Sequence, residues 1–75
     1  MTQSTFHVAV VGATGAVGEQ IVKLLEERRF PLGKLTLLAS SRSAGRTVTF
    51  NGQTITVQET TPDAFDGVDI AFFSA

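Results

Sequence analysis

Gly12, Gly15 and Gly18 recur every third residue just after the apolar run Val8-Ala9-Val10-Val11, with Thr14 inside the triplet and Ala16-Val17 opening an amphipathic stretch. Glycines at this spacing, set between a strand and a helix, make a backbone surface that a pyrophosphate can approach. The first turn of a helix offers unpaired N–H groups and the positive end of its dipole, both suited to an anion. Gly12 is expected to leave the strand through a tight turn, Gly15 to remove a Cβ where a phosphate comes close, and Gly18 to let the helix pack on the sheet. Thr14 adds a hydroxyl donor at the mouth. A ligand-free turn would use the same glycines, so it is the order of strand, turn and helix that favours a nucleotide. A P-loop is excluded, because GxxxxGK[ST] begun at Gly12 needs glycine, lysine and a hydroxyl residue where the chain has Val17, Gly18 and Glu19.

A second chemical group follows the next apolar run: Ser40-Ser41-Arg42-Ser43-Ala44-Gly45-Arg46. In NAD-binding versions of the strand-turn-helix unit, a carboxylate about 20 residues beyond the glycines accepts hydrogen bonds from the ribose. Here hydroxyls and guanidinium groups stand in that place, and no carboxylate does. A carboxylate would repel a 2′-phosphate, whereas Arg42 can clamp one bidentately and Ser40 or Ser43 can donate to it. The expected cofactor is therefore NADP rather than NAD; the competing reading is a solvated loop whose arginines face water.

These groups need elements to hold them. Ala16 to Arg29 is expected to be a helix with a buried stripe of Val17, Ile21, Leu24 and Leu25, continued by Arg28, and with Glu19, Lys23 and Glu27 spaced four apart on the exposed side. Pro31 stops it by pushing Phe30 from helical angles. Leu35 to Ala39 reads as a buried parallel strand, placed beside the first by a right-handed crossover. Thr47 to Phe50 and Gln53 to Gln58 alternate polar and apolar residues around Asn51-Gly52, which predicts an antiparallel hairpin with a type I′ turn. Thr61 to Phe65 reads as a short capped helical turn with Pro62 first. Val68 to Ala75 is the last expected strand, ending on Ser74 and Ala75 where a cofactor could cross the sheet edge.

The fold class is thus α/β: a partial, doubly wound, Rossmann-like parallel sheet with a small β-hairpin excursion, incomplete relative to a whole domain of this kind. Residues 1–75 are expected to be the amino-terminal portion of an NADP-binding domain, with no second domain. Phe72 and Phe73 alternate across the last strand, which calls for cover on both faces. One helix cannot provide it, so association into a homo-oligomer is expected.

Composition narrows the rest. A chain of 75 residues with net charge −1 has no electrostatic case for nucleic acid, and no run approaches the ~18 apolar residues that cross a membrane. The start Met-Thr-Gln-Ser-Thr lacks a basic signal region, so the expected setting is cytoplasmic. Without cysteine there is no disulfide, thiolate metal site or cysteine nucleophile in these residues. His7 reads as structural, Asp69 as a strand-entry residue, and Glu59, Asp63 and Asp66 as solvated, without metal-ligand spacing. No catalytic or metal-binding residue is expected.

Val-Ala-Val-Val-Gly-Ala-Thr-Gly-Ala-Val-Gly, Phe30-Pro31, Leu-Leu-Ala-Ser-Ser-Arg-Ser-Ala-Gly and Val-Asp-Ile-Ala-Phe-Phe-Ser-Ala together resemble the amino-terminal part of the aspartate-β-semialdehyde dehydrogenases, over Phe6 to Ala75. The serine-arginine block is more specific than the glycine loop, which other reductases and epimerases share. The resemblance implies an NADPH-dependent enzyme that converts aspartyl phosphate to aspartate semialdehyde and releases phosphate, in lysine, methionine and threonine biosynthesis. It further implies that Thr14, Gly15, Ala16 and Val17 form the phosphate loop, that Arg42 and Ser43 hold the 2′-phosphate, and that Ser74 and Ala75 lie near the cofactor. The family's catalytic cysteine and histidine have no counterpart in this chain, so small-molecule substrate and turnover are expected only of a longer parent. An N-acetyl-glutamyl-phosphate reductase, an extended short-chain dehydrogenase, and a noncatalytic binding or self-associating module are the alternatives.

Overall fold

In the computed structural model residues 5–74 are described. Phe6–Val11 forms β1, Ala16–Glu27 α1, Leu32–Ala39 β2, Thr47–Phe50 β3, Gln53–Thr56 β4, Gln58–Glu59 β5 and Ile70–Phe73 β6, with a 3-10 helix at Pro62–Phe65. Consecutive apolar residues suit β1 to the middle of a sheet buried on both faces. It lies between β2 and β6 in a four-stranded sheet of order β5-β2-β1-β6, in which β1 pairs in parallel with both neighbours and β5 pairs in parallel with β2. β3 and β4 form a separate antiparallel ribbon.

Helix α1 covers one face of the sheet. Its buried residues are Gly18, Val22 and Leu25, whereas Val17 and Leu24 are 57% and 49% exposed. This corrects the expected stripe: Gly18 has to face inward because it presses on the turn at Gly12, and that contact sets the rotation of the helix. Val22 then reaches the core with Val8, Val10 and Leu37, and Ile21 is left at the margin. The helix also ends two residues before the expected Arg29. Arg29 adopts φ 51°, its N–H donates to Glu26 O at 3.3 Å, and Phe30 N–H donates to Leu25 O at 3.1 Å, a Schellman closure built without glycine.

Strand β2 begins at Leu32 rather than Leu35, its first residues paired to β1 across a register shift between Phe6 and His7. The hairpin turns at Asn51 and Gly52 with φ 51° and 79°, as the type I′ expectation requires. Glu26 accepts the Asn51 N–H at 2.6 Å and so ties the ribbon to α1. Its second strand is shorter than expected, because the chain leaves the ribbon at Val57 and Gln58-Glu59 joins the main sheet beside Leu38 and Ala39.

The second face of the sheet is partly covered. Ala9 and Leu38 are fully buried there, and Phe65 of the 3-10 helix stacks on Phe73 with ring centroids 6.1 Å apart. Phe73 stays 69% exposed. The structural reading of His7 agrees with its contacts: Nδ1 lies 3.1 Å from Gly67 O and Nε2 2.7 Å from Thr36 Oγ1. A carbonyl only accepts, so Nδ1 carries a proton and donates to Gly67. His7 and Asp69 are tied by two bonds, His7 N–H to the Asp69 side-chain carboxylate and Asp69 N–H to His7 O, each 2.8 Å. This knot fastens β1, β2 and the approach to β6 at the end of the sheet away from the glycines.

Candidate cofactor site

At the carboxyl end of β1 the chain turns sharply at Gly12, whose φ is +80°. Gly12 N–H and Ala13 N–H both donate to Leu38 O, at 2.8 and 3.0 Å, so the turn rests on the end of β2. Gly15 N–H closes the turn onto Gly12 O at 3.1 Å. Helix α1 starts with Gly15 as its N-cap, which provides no capping side chain, and Glu19 N–H to Gly15 O at 2.9 Å is a first-turn bond. The amides of Ala16, Val17 and Gly18 precede that bond, the arrangement in which a helix start attracts an anion.

The three glycines are not equivalent. A Cβ on Gly12 would strike Ser74 Oγ, and one on Gly18 would strike Gly12 O and lie 2.8 Å from Ala13 Cα. Both are therefore required by the chain itself. Gly15 is exposed, at φ −81° and ψ 168°, and its added Cβ would meet only Gly12 O at 3.5 Å, an ordinary contact. Nothing among the described residues forbids a side chain there, so the glycine leaves room that the chain itself does not need. Gly15→Ser is accordingly expected to leave stability unchanged or raise it by roughly 0.5 kcal/mol through a new cap, while weakening nucleotide binding. Thermal melting beside a nucleotide titration checks the pair of effects; equal loss in both would make Gly15 structural.

β6 completes the site from the other side. Strand order reverses at β1, with β2 to one side and β6 to the other, which is the crevice where open α/β sheets take ligands. Ser74 N–H donates to Val11 O at 3.0 Å, and Ser74 Oγ lies 3.1 Å from both Val11 O and Gly12 O. Its hydroxyl thus braces the turn rather than facing outward. Ala75 lies outside the described residues.

The serine-arginine segment emerges from β2 at the same end of the sheet, two residues after the carbonyl that holds the glycine turn. Ser43 N–H and Ala44 N–H donate to Ser40 O at 2.9 and 3.0 Å, and Gly45, at φ +97°, donates to Val57 O at 2.8 Å. Ser40 and Arg42 are exposed on this coil and Ser43 is half-buried. The structure therefore brings Gly12, Thr14, Gly15, Ala16 and Val17 together with Ser40, Arg42, Ser43 and Ser74 at one rim. Sequence reasoning missed Thr60, which donates to Ala39 O with both its N–H and its hydroxyl; a threonine between a strand and a helical turn carries no signal of such a role.

Residues 7–75 match the family model described as semialdehyde dehydrogenase, NAD binding domain. The chain belongs to this family. Its nucleotide-binding character, as an NAD(P)-binding domain, follows from that membership and agrees with the motif reading. An aspartate-semialdehyde dehydrogenase of Bacillus subtilis is 65% identical over 69 residues, 92% of this chain and 20% of that protein. One from Vibrio mimicus is 53% identical over 70 residues, 93% of this chain and 22% of the relative. The chain thus spans about a fifth of the length of the curated relatives it matches. Among solved structures, aspartate semialdehyde dehydrogenase II of Vibrio cholerae, complexed with ASA, superposes with a TM-score of 0.90 at 51% identity, covering 96% of this chain and 24% of that one. The Candida albicans enzyme with NADP gives 0.73 at 32% identity, covering 96% and 24%. No helix among the described residues is long and apolar enough to cross a membrane.

Proposed function

We propose that residues 1–75 form the amino-terminal part of an NADP-binding domain and serve an aspartate-semialdehyde dehydrogenase. The observation that carries this is the meeting of two loops: the Leu38 carbonyl that anchors Gly12 and Ala13 stands two residues before Ser40. Gly12, Thr14, Gly15, Ala16 and Val17 would cradle the pyrophosphate, Ser40, Arg42 and Ser43 would hold the 2′-phosphate, and Ser74 and Ala75 would border the cofactor. The NADP in the Candida albicans structure supports this choice. When bound, NADPH supplies hydride; these residues bind and orient it.

The reaction proposed for the longer protein is the reversible conversion of aspartyl phosphate and NADPH to aspartate semialdehyde, NADP and phosphate, in amino-acid biosynthesis and in the cytoplasm. The names of the relatives support the aspartate-semialdehyde dehydrogenase reaction. Turnover is not assigned to these residues, which contain no cysteine to form an acyl intermediate. Association of copies has its support in Phe73, exposed on β6, an edge strand among the described residues. Calorimetric titration of the chain with NADP and with NAD tests the cofactor: tighter binding of NADP is expected, and equal affinities would overturn the assignment.

A further inference from the structure

Thr60 holds the carbonyl from which the serine-arginine coil departs. Its N–H donates to Ala39 O at 2.9 Å and its Oγ1 donates to the same atom at 3.0 Å, so one residue occupies both lone pairs of that oxygen. The consequence lies across the peptide bond. Ala39 C=O and Ser40 N–H share one rigid trans plane and point in opposite directions. Fixing the carbonyl toward Thr60, on the β5 side, aims the Ser40 N–H toward β1 and the glycine turn. Leu38 O, one residue earlier, alternates to that same side and receives Gly12 N–H and Ala13 N–H. Ser40 N–H itself donates to no backbone acceptor among the described residues. On its other side the Ser40 carbonyl is occupied by Ser43 and Ala44. Both peptide units around Ser40 are thus set before any ligand arrives.

We infer that Thr60 is a positioning residue for nucleotide selectivity: it presets the Ser40 amide as a donor to the 2′-phosphate. This rests on the NADP reading above. A donor aimed at a phosphate gains more than one aimed at a ribose hydroxyl, because hydrogen bonds to ionised acceptors are about twice as strong. Loss of its alignment therefore weakens NADP more than NAD.

Thr60→Val keeps the shape and the backbone N–H and removes only the hydroxyl; Thr60→Ser keeps the hydroxyl. Titrating the chain and both variants with NADP and with NAD, and following amide exchange, separates the possibilities. Thr60→Val is expected to bind NADP about fivefold more weakly with NAD unchanged, the scale of one hydrogen bond. Ser43 and Ala44 amides should exchange faster while Val8 and Val10 keep their protection, and Thr60→Ser should restore both. If wild type prefers NADP and Thr60→Val keeps that preference in full, the role of Thr60 is overturned and the NADP reading stands. Equal weakening toward both nucleotides, or faster exchange at Val8 and Val10, makes Thr60 merely structural and also overturns it. If wild type binds both nucleotides alike, the NADP reading fails and the inference fails with it.

Discussion

Gly18→Ala is expected to unfold the chain, or to lower its stability by about 3 kcal/mol or more. Two opposing effects decide this. Alanine in place of glycine within a helix favours folding by up to about 1 kcal/mol. Against that, the new Cβ would fall on Gly12 O and come within 2.8 Å of Gly12 C and Ala13 Cα, all of them backbone atoms that cannot swing aside as a side chain does. Either α1 lifts from the sheet, exposing Val22 and Leu25, or the turn at Gly12 opens and gives up its bonds to Leu38 O. A chain of 75 residues has only roughly 4 to 11 kcal/mol in hand, so the loss is a large share of the total. Urea unfolding followed by circular dichroism measures it. A midpoint equal to that of wild type would show that helix and turn are not pressed together as described.

Arg42→Ala is expected to lower NADP affinity by about 10- to 100-fold, the range for a hydrogen-bonded ion pair, and to leave NAD affinity nearly unchanged. Arg42 is exposed on a coil whose ends are held by other residues, so its removal leaves the fold intact. The variant should melt with wild type, which separates loss of binding from loss of structure. Raising salt should erode the proposed preference for NADP, because the proposed contact would join charges at the protein surface. Calorimetry with each nucleotide checks this; undiminished NADP binding by Arg42→Ala would return the loop to the role of a solvated surface.

Much of the fold was legible because local chemistry and global position agree in it. The glycine turn, the start of α1 at Ala16, the Asn51-Gly52 hairpin and the helical turn at Pro62 each depend on a few neighbouring residues. The misreadings arise where a distant contact decides. Val17 and Leu24 are as apolar as Val22, and only the pressure of Gly18 on the turn settles which of them faces the sheet. Alternation continues unbroken through Ile55, Val57 and the residues beside them, and the same pattern serves the ribbon and the main sheet. The transfer at Val57 is fixed by its bond to Arg46 O at 2.7 Å and by the pairing of Gln58 with Leu38. For the site, residue types revealed which side chains could hold an anion. The bracing by Ser74 and Thr60 depends on strand order and was hidden until the sheet was assembled.

The brace at Ser74 also orders events in time. Ser74 and Gly12 are separated by 62 positions in the chain, and β2 to β6 lie between them. Closing so long a loop is entropically late, so β1, α1 and β2 can assemble from nearer contacts before β6 docks. The turn is then left without its brace until β6 arrives. A nucleotide that needs the finished turn selects the fully folded chain over any earlier state, and its binding would be felt as slower unfolding.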